Sequence, residues 1–588
     1  MQKFSEIEYK RPNFETYKAE YFSVLEKLKV ANTYENQKDL IYKINDLSNN
    51  FDTAINLIYV RHTINTEDKF YESEKEWMDE TMPELSMLSL KYYEVLVKSE
   101  FRPALEKEFG EQLFTIADFQ IKQTDERLVE DRKKENKLGS EYAKLLASAK
   151  IEWEGKELNL SQLVPFKVSK DRAIRKKAAD AVFNFLGENV KELDRIYDEM
   201  VHLRHGMAKK IGLDNFVELG YYQMMRSDYN PKMVTKFRKK VQDLIVPLVE
   251  KLNKRQAKRI GLDALKHYDD GFRFKTGNPE PKGTPEWIIE NGKKMYAELS
   301  PETNEFFDFM TKYELMDLVT KKGKSTGGYC TFIANYGAPF IFSNFNGTSG
   351  DIDVLTHEAG HAFQVYSSKH FKVSEYYWPT SESAEIHSMS MEFFTWPWME
   401  LFFKEDTEKY KFQHLSGALH FLPYGVSVDE FQHRVYEKPD MTPEERRAVW
   451  REIEMKYKPN LDYDGNAYAE AGGRWQQQAH IYEMPFYYID YTLAQVCALQ
   501  FWVKMQEDFK GAWKDYLRLC QAGGSMSFLK LVELAGLKSP FEDGAIEEVV
   551  AKIRTLGAHA TASSIHINAW YGEHSKKATA TAFLEGKG

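Results

Sequence analysis

The chain has 588 residues, long enough for two large domains or roughly three or four average ones. Its 43% hydrophobic and 29% charged content is an ordinary globular balance, and a net charge of −10 argues against a nucleic-acid partner, which needs a basic face. Three cysteines (Cys330, Cys497 and Cys520) with no C-x-x-C pair exclude a disulfide framework. Together with the absence of an apolar leader after Met1 or a run of about eighteen apolar residues, this predicts a soluble cytoplasmic protein with no membrane partner.

In chain order, helical periodicity comes first. Apolar residues recur at three- and four-residue steps through 13–30, 36–60 and 68–100, predicting helical hairpins over residues 1–190 with no catalytic cluster. The mixed-charge stretch from Thr124 to Leu138 reads as a solvated helix face. Val182, Leu186, Val190, Leu193, Ile196, Tyr197, Met200 and Leu203 mark another amphipathic helix, and 230–260 continues the pattern. Residues 271–285 are rich in glycine and proline and read as a loop. Tyr329–Ile333 and Pro339–Ser343 are two short β-like runs among glycines, placed to wall a cleft just ahead of the next helix. Gly323-Lys324-Ser325 is not a phosphate loop, because Leu318 stands where its first glycine is required.

His357-Glu358-Ala359-Gly360-His361 spells H-E-x-x-H. Four residues along a helix bring two imidazoles to one face, where they can hold one Zn²⁺ at about 2.0–2.1 Å per nitrogen. Glu358 is placed to take a proton from a water there. A catalytic zinc usually takes a third protein ligand and keeps one position open. Pro379-Thr380-Ser381 starts a second helix that Pro397 ends, and Glu385 on it is the predicted third ligand. Glu392, seven residues on and on the same face, is the candidate acceptor for a ligand histidine, whereas His387 points elsewhere. Gly523-Gly524-Ser525-Met526-Ser527 reads equally as a mobile loop or a helix start. From 557 to 588 the sequence lacks an apolar stripe and reads as a disordered or non-native tail.

At 357–364 and 384–392 these residues resemble the thimet-oligopeptidase (M3) metallopeptidases, most closely the bacterial oligoendopeptidase F and Pz-peptidase branch. Pro339–Phe345 resembles the edge strand beside that family's cleft. His480 with Phe486-Tyr487-Tyr488-Ile489-Asp490-Tyr491 resembles its His…Tyr-rich segment. The chain departs from the pattern in two places. Its ligand glutamate comes about one residue earlier, and Gln364 replaces a frequent histidine at a position that is not a ligand. The resemblance implies a mainly α fold, two helical halves around a deep substrate channel, with a small β-sheet beside the H-E-x-x-H helix. The expected division is an N-terminal helical domain over 1–190 and a catalytic domain over 191–556.

The resulting expectation is an endopeptidase carrying one Zn²⁺ on His357, His361 and Glu385, with Glu358 as base and short unfolded oligopeptides as substrates. Tyr491 and His480 are the candidate oxyanion donors, and Tyr488 a candidate contact to the oxyanion or the substrate backbone. Tyr487 and Tyr482 are assigned to the core. Two alternatives stand beside it: a zinc carboxypeptidase or dipeptidyl carboxypeptidase, which needs a cation for the substrate's terminal carboxylate, and a helical peptide-binding scaffold with an inert motif. The sequence is silent on oligomeric state.

Overall fold

The computed structural model describes residues 1–559, so the tail expected from 557 lies, from residue 560 onward, outside the described residues. The chain is mostly helical, as expected. Its first helices, α1 (Phe14–Val30), α2 (Tyr34–Ile64) and α3 (Lys69–Val97), follow the predicted periodic runs. Each opens on a residue that satisfies first-turn amides: Asn13, Thr33 and Asp68 accept from the backbones of Thr16, Asn36 and Phe70. Their apolar stripes close a core around Tyr21, Leu25, Ile41, Phe51, Leu88 and Leu113. A larger core holds the rest of the chain, and Leu138, Tyr142, Val182 and Leu186 contribute to it.

A hairpin, β1 (Ile151–Trp153) with β2 (Lys156–Leu158), interrupts the helices. The site is framed by a three-stranded sheet of β3 (Met316–Val319), β4 (Tyr329–Ile333) and β5 (Ala338–Phe345), ordered β3-β5-β4. β4 runs antiparallel to β5, from Tyr329↔Phe342 to Ile333↔Ala338, and β3 runs parallel to it. The two predicted runs are β4 and the heart of β5. The sequence did not signal β3, a four-residue strand whose parallel partner comes about twenty positions later, with β4 in the connection between them. β5 is almost wholly buried, with Phe340, Ile341 and Phe342 at 1% exposure or less.

The chain leaves β5 into α4 (Gly350–Ser368). Asp351, in the first turn of α4, accepts the backbone amides of Asn346 and Gly347 at 2.8 Å each and fixes how the helix departs from the sheet. α5 (Ser381–Phe394) packs on α4. The helices α6 (Thr407–Glu437) and α7 (Tyr488–Glu507) complete the walls around both.

Candidate metal centre and active site

α4 presents His357 and His361 on one face, and α5 brings Glu385 up to them. Their ligand atoms all lie within 4.8 Å of one another. Glu385 Oε2 stands 3.2 Å from His357 Nε2 and 3.5 Å from His361 Nε2. Gly360 explains the closeness. A Cβ there would fall 2.6 Å from Ser388 Cα and 2.7 Å from the His387 carbonyl oxygen, so glycine lets α4 and α5 cross backbone to backbone.

Two imidazole nitrogens and a carboxylate oxygen converging at a partly buried site are a donor set suited to a divalent metal. Hydrogen bonding leaves the ligand atoms available. His357 Nδ1 lies 2.7 Å from Glu392 Oε1, so this imidazole turns Nε2 toward Glu385. Glu392 Oε2 is bound in turn by His414 Nε2 at 2.6 Å, from α6. Glu392 is therefore where the sequence suggested, but His414 was not foreseen: it arrives from another helix and no local motif marks it. Despite the cost of burial, the carboxylates of Glu385 and Glu392 hold His357 well above the ordinary imidazole range. Burial also works against Glu385, but the imidazoles of His361 and His357 hold its carboxyl well below the usual range.

Glu358 is 6% exposed, and among the described residues its Oε2 has no hydrogen-bond partner. Burial raises its pKa. Gly328, just before β4, passes over this carboxylate, and a Cβ there would lie 3.4 Å from Glu358 Oε1. A buried carboxylate oxygen without a donor is costly unless it is reserved for something else.

The His…Tyr segment forms the opposite wall. Tyr491 hydroxyl lies 3.4 Å from His480 Nε2. Tyr424 donates to Gln478 Oε1 at 2.8 Å, which turns the Gln478 amide nitrogen toward His480 Nδ1 at 2.9 Å. That amide can only donate, so the ring proton of His480 sits on Nε2, facing Tyr491. Burial lowers the His480 pKa, which keeps the ring neutral. Tyr488 packs edge-on against His480 and Tyr491, at 5.1 and 5.5 Å between ring centres. Tyr487, assigned to the core from sequence, donates to Glu385 Oε1 at 2.7 Å and so touches the predicted third ligand. Tyr482 is core: it is fully buried and stacks on Tyr142 at 3.9 Å. His387 is buried too, its Nδ1 on the Ser383 carbonyl and its pKa lowered to about 4 by burial.

Gly523 and Gly524 open the short turn that leads into the helix Phe528–Leu534, which has Ser527 at its N-cap, as in the helix-start reading. They turn the chain tightly against the backbone of Tyr376 and Trp378, where any Cβ would come within 2.4 Å of a carbonyl oxygen. A cavity of about 400 Å³ opens beside the centre, lined by Glu392 and His414 at one end and by Arg273, Asn278 and Pro279 of the predicted glycine/proline loop. Among the described residues no helix is long and apolar enough to cross a membrane.

The family profile described as "Peptidase M3 N-terminal domain" matches residues 4–124, and that described as "Peptidase family M3" matches 166–278 and 296–551. A Pz peptidase A solved with an inhibitor is 58% identical, with a TM-score of 0.92, over 94% of this chain and 98% of that one. A structure assigned to oligoendopeptidase F from Bacillus anthracis is 54% identical, with a TM-score of 0.88, over 94% of this chain and 98% of that one. The oligopeptidase PepF of Bacillus subtilis is 22% identical over 399 residues, 65% of this chain. That alignment spans only 56% of the PepF sequence.

Proposed function

The chain belongs to peptidase family M3, and on that premise we propose that it is a zinc-dependent endopeptidase cutting internal bonds of short unfolded oligopeptides in the cytoplasm. The observation that carries the reading is the convergence of His357, His361 and Glu385 beside a buried Glu358 oxygen that nothing else engages. Membership of a peptidase family sets aside the inert scaffold.

In this reading His357, His361 and Glu385 hold the zinc, with Glu392 orienting His357. The metal, when bound, polarises the scissile carbonyl and makes water acidic enough to lose a proton near neutral pH. Glu358 takes that proton as the water oxygen bonds to the carbonyl carbon. It then delivers the proton to the amide nitrogen as the C–N bond breaks. Tyr491 accepts from His480 Nε2–H, which leaves its own hydroxyl proton to donate to the oxyanion. Tyr488 contacts the substrate backbone. The catalytic work falls to residues 191–556. The helices of 1–190 wall the channel, which the packing of Tyr59 on Tyr329 supports.

The test is mass spectrometry of a graded-length peptide library, with and without chelator, on the wild type and on Glu358→Gln. The expected result is internal cleavage that chelator abolishes and zinc restores, an upper limit on peptide length, and loss of about a thousandfold or more in kcat for Glu358→Gln with zinc retained. A Glu358→Gln variant hydrolysing near the wild-type rate would sink the assignment of the base.

A further inference from the structure

Helix α6 runs past the active site as a track. His414 meets Glu392, Phe421 packs on Tyr488 and Tyr491 at 5.6 and 6.2 Å, and Tyr424 packs on Tyr488 at 5.6 Å. Beyond Tyr424 the chemistry changes. Lys458 Nζ lies 5.6 Å from the Tyr424 ring centre and Arg474 Cζ lies 5.7 Å from it. Both side chains are half-buried, and among the described residues neither forms an ion pair with a carboxylate. Arg474 Nε is buried with no hydrogen-bond partner. On the cavity wall, the Arg273 side chain hydrogen-bonds, among the described residues, to Gln256 Oε1 at 3.3 Å.

Asp270 acts on Lys458, Arg474 and Arg273 from beyond ion-pair distance, and no neighbouring acid among the described residues closes an ion pair with them. Against the cost of burial, Arg474 is favoured in its charged form first by the Tyr463 hydroxyl and then by Glu454, Tyr424 and Asp270, whereas at Lys458 burial, then Arg474, outweigh Asp270 and Glu454 and lower its pKa. Glu454 is already engaged by the Tyr463 hydroxyl at 2.6 Å and by Arg451 at 3.7 Å. The third acid, Glu280, is exposed at the cavity edge. The cations also act on each other's surroundings: burial, then Arg273 and Lys458, keep His420 well below the ordinary imidazole range. Half-buried cations without a carboxylate partner are stabilised when an anion joins them.

We propose that Lys458 and Arg474, with Arg273 on the cavity wall, hold a carboxylate of the peptide substrate and so measure the distance from that carboxylate to the scissile bond. This deepens the peptidase reading and rests on it. Tyr491–Tyr488, Tyr488–Tyr424 and Tyr424–Lys458 are steps of 5.5, 5.6 and 5.6 Å. At about 3.3 Å per extended residue, the cations stand no more than roughly five residues from the bond that Tyr491 faces. The carboxylate is either the free C-terminus or an acidic side chain at that distance.

The experiment measures binding to zinc-loaded Glu358→Gln protein by calorimetry. Its probes are three peptides of one sequence without other acids: the free C-terminal acid, the C-terminal amide, and the amide carrying one glutamate four or five residues beyond the preferred cleavage site. The acid is expected to bind about tenfold more tightly than the amide, the scale of one charged hydrogen-bonding partner. Adding Lys458→Gln, or separately Arg474→Gln, should bring that ratio close to one. Recovery of affinity by the glutamate peptide alone would assign the site to a side chain. An effect transmitted through Tyr424 to His480 would change turnover of all three peptides without moving the acid-to-amide ratio. Equal binding of the three peptides, or a ratio that survives Lys458→Gln, overturns the proposal. Because Lys458 is half-exposed, its variant decides the matter even if the Arg474 variant fails to fold. Turnover of the same peptides by the wild type is read separately, so a missing peptidase activity and a missing anchor give different results.

Discussion

Glu392 is bound by two imidazoles at once, at 2.7 Å on one oxygen and 2.6 Å on the other. His414 also accepts from the Trp396 indole at 3.3 Å, so a chain of polar contacts runs from an aromatic core residue to a predicted metal ligand. An anionic acceptor on Nδ1 raises the basicity of Nε2 and holds the ring in place. Glu392→Gln keeps the shape and removes the charge. It is expected to weaken zinc about 10–100-fold, measured by competition with a chromogenic chelator. Unchanged affinity would reduce Glu392 to a packing residue. At this scale the residues that sequence brought together are those whose spacing is dictated by one helix or two adjacent ones: His357, Glu358, His361, Glu385 and Glu392. Tyr487 and His414 were not legible. Their roles depend on contacts to Glu385 and Glu392 from 102 and 22 residues away, and a tyrosine or histidine on an apolar helix face reads the same whether or not such a contact exists.

The helix pair α4–α5 makes the pentapeptide into a site, and its crossing depends on the absence of one side chain. A methyl at Gly360 would meet backbone atoms of α5, which cannot rotate away as a side chain can. The helices must part, and Glu385, three residues before Ser388, moves with α5. Overpacking of this kind costs about 1–3 kcal/mol, and a ligand set is sensitive to much smaller displacements than a fold. Gly360→Ala should therefore lower bound zinc well below one per chain while the far-ultraviolet spectrum stays helical. Metal analysis and circular dichroism check this, and a stoichiometric zinc content would show that the crossing tolerates the methyl. The strands β4 and β5 were legible because β-branched and aromatic residues stand between glycines. β3 was not, because Met-Asp-Leu-Val carries no such frame and pairs only with a later strand.

Across the whole molecule, α2 reaches β4 through Thr63 with Tyr329 and Asn56 with Thr331, and a second tie between the N-terminal helices and the metal centre is a short segment of chain. Residues 373–378 lead directly into α5, yet Val373 and Tyr376 are buried in the N-terminal core. Asn45 accepts from both the amide and the hydroxyl of Ser374, at 2.6 and 2.8 Å, and Tyr93 donates to Glu375 at 3.2 Å. Tyr376 carries the most specific contact. The helix Glu111–Gln123 begins at Gly110, which has no side chain to cap it. The Tyr376 hydroxyl accepts the Leu113 amide at 2.9 Å and donates to the Phe109 carbonyl at 2.7 Å, so it caps a helix about 260 residues earlier in the chain. No sequence pattern could announce a cap supplied from that distance. Tyr376→Phe leaves the ring in place and strands a buried amide and a carbonyl, at a cost of about 1–3 kcal/mol each. The loss falls on the docking of the N-terminal helices and leaves the contacts of His357, His361 and Glu385 intact. Hydrogen exchange should thus rise in Glu111–Gln123 and in the facing turns of α2 and α3, while exchange in α4 and the zinc content stay at wild-type values. Uniform loss of protection through α4 and α5 would mean instead that the two cores unfold as one unit, with Tyr376 supporting both.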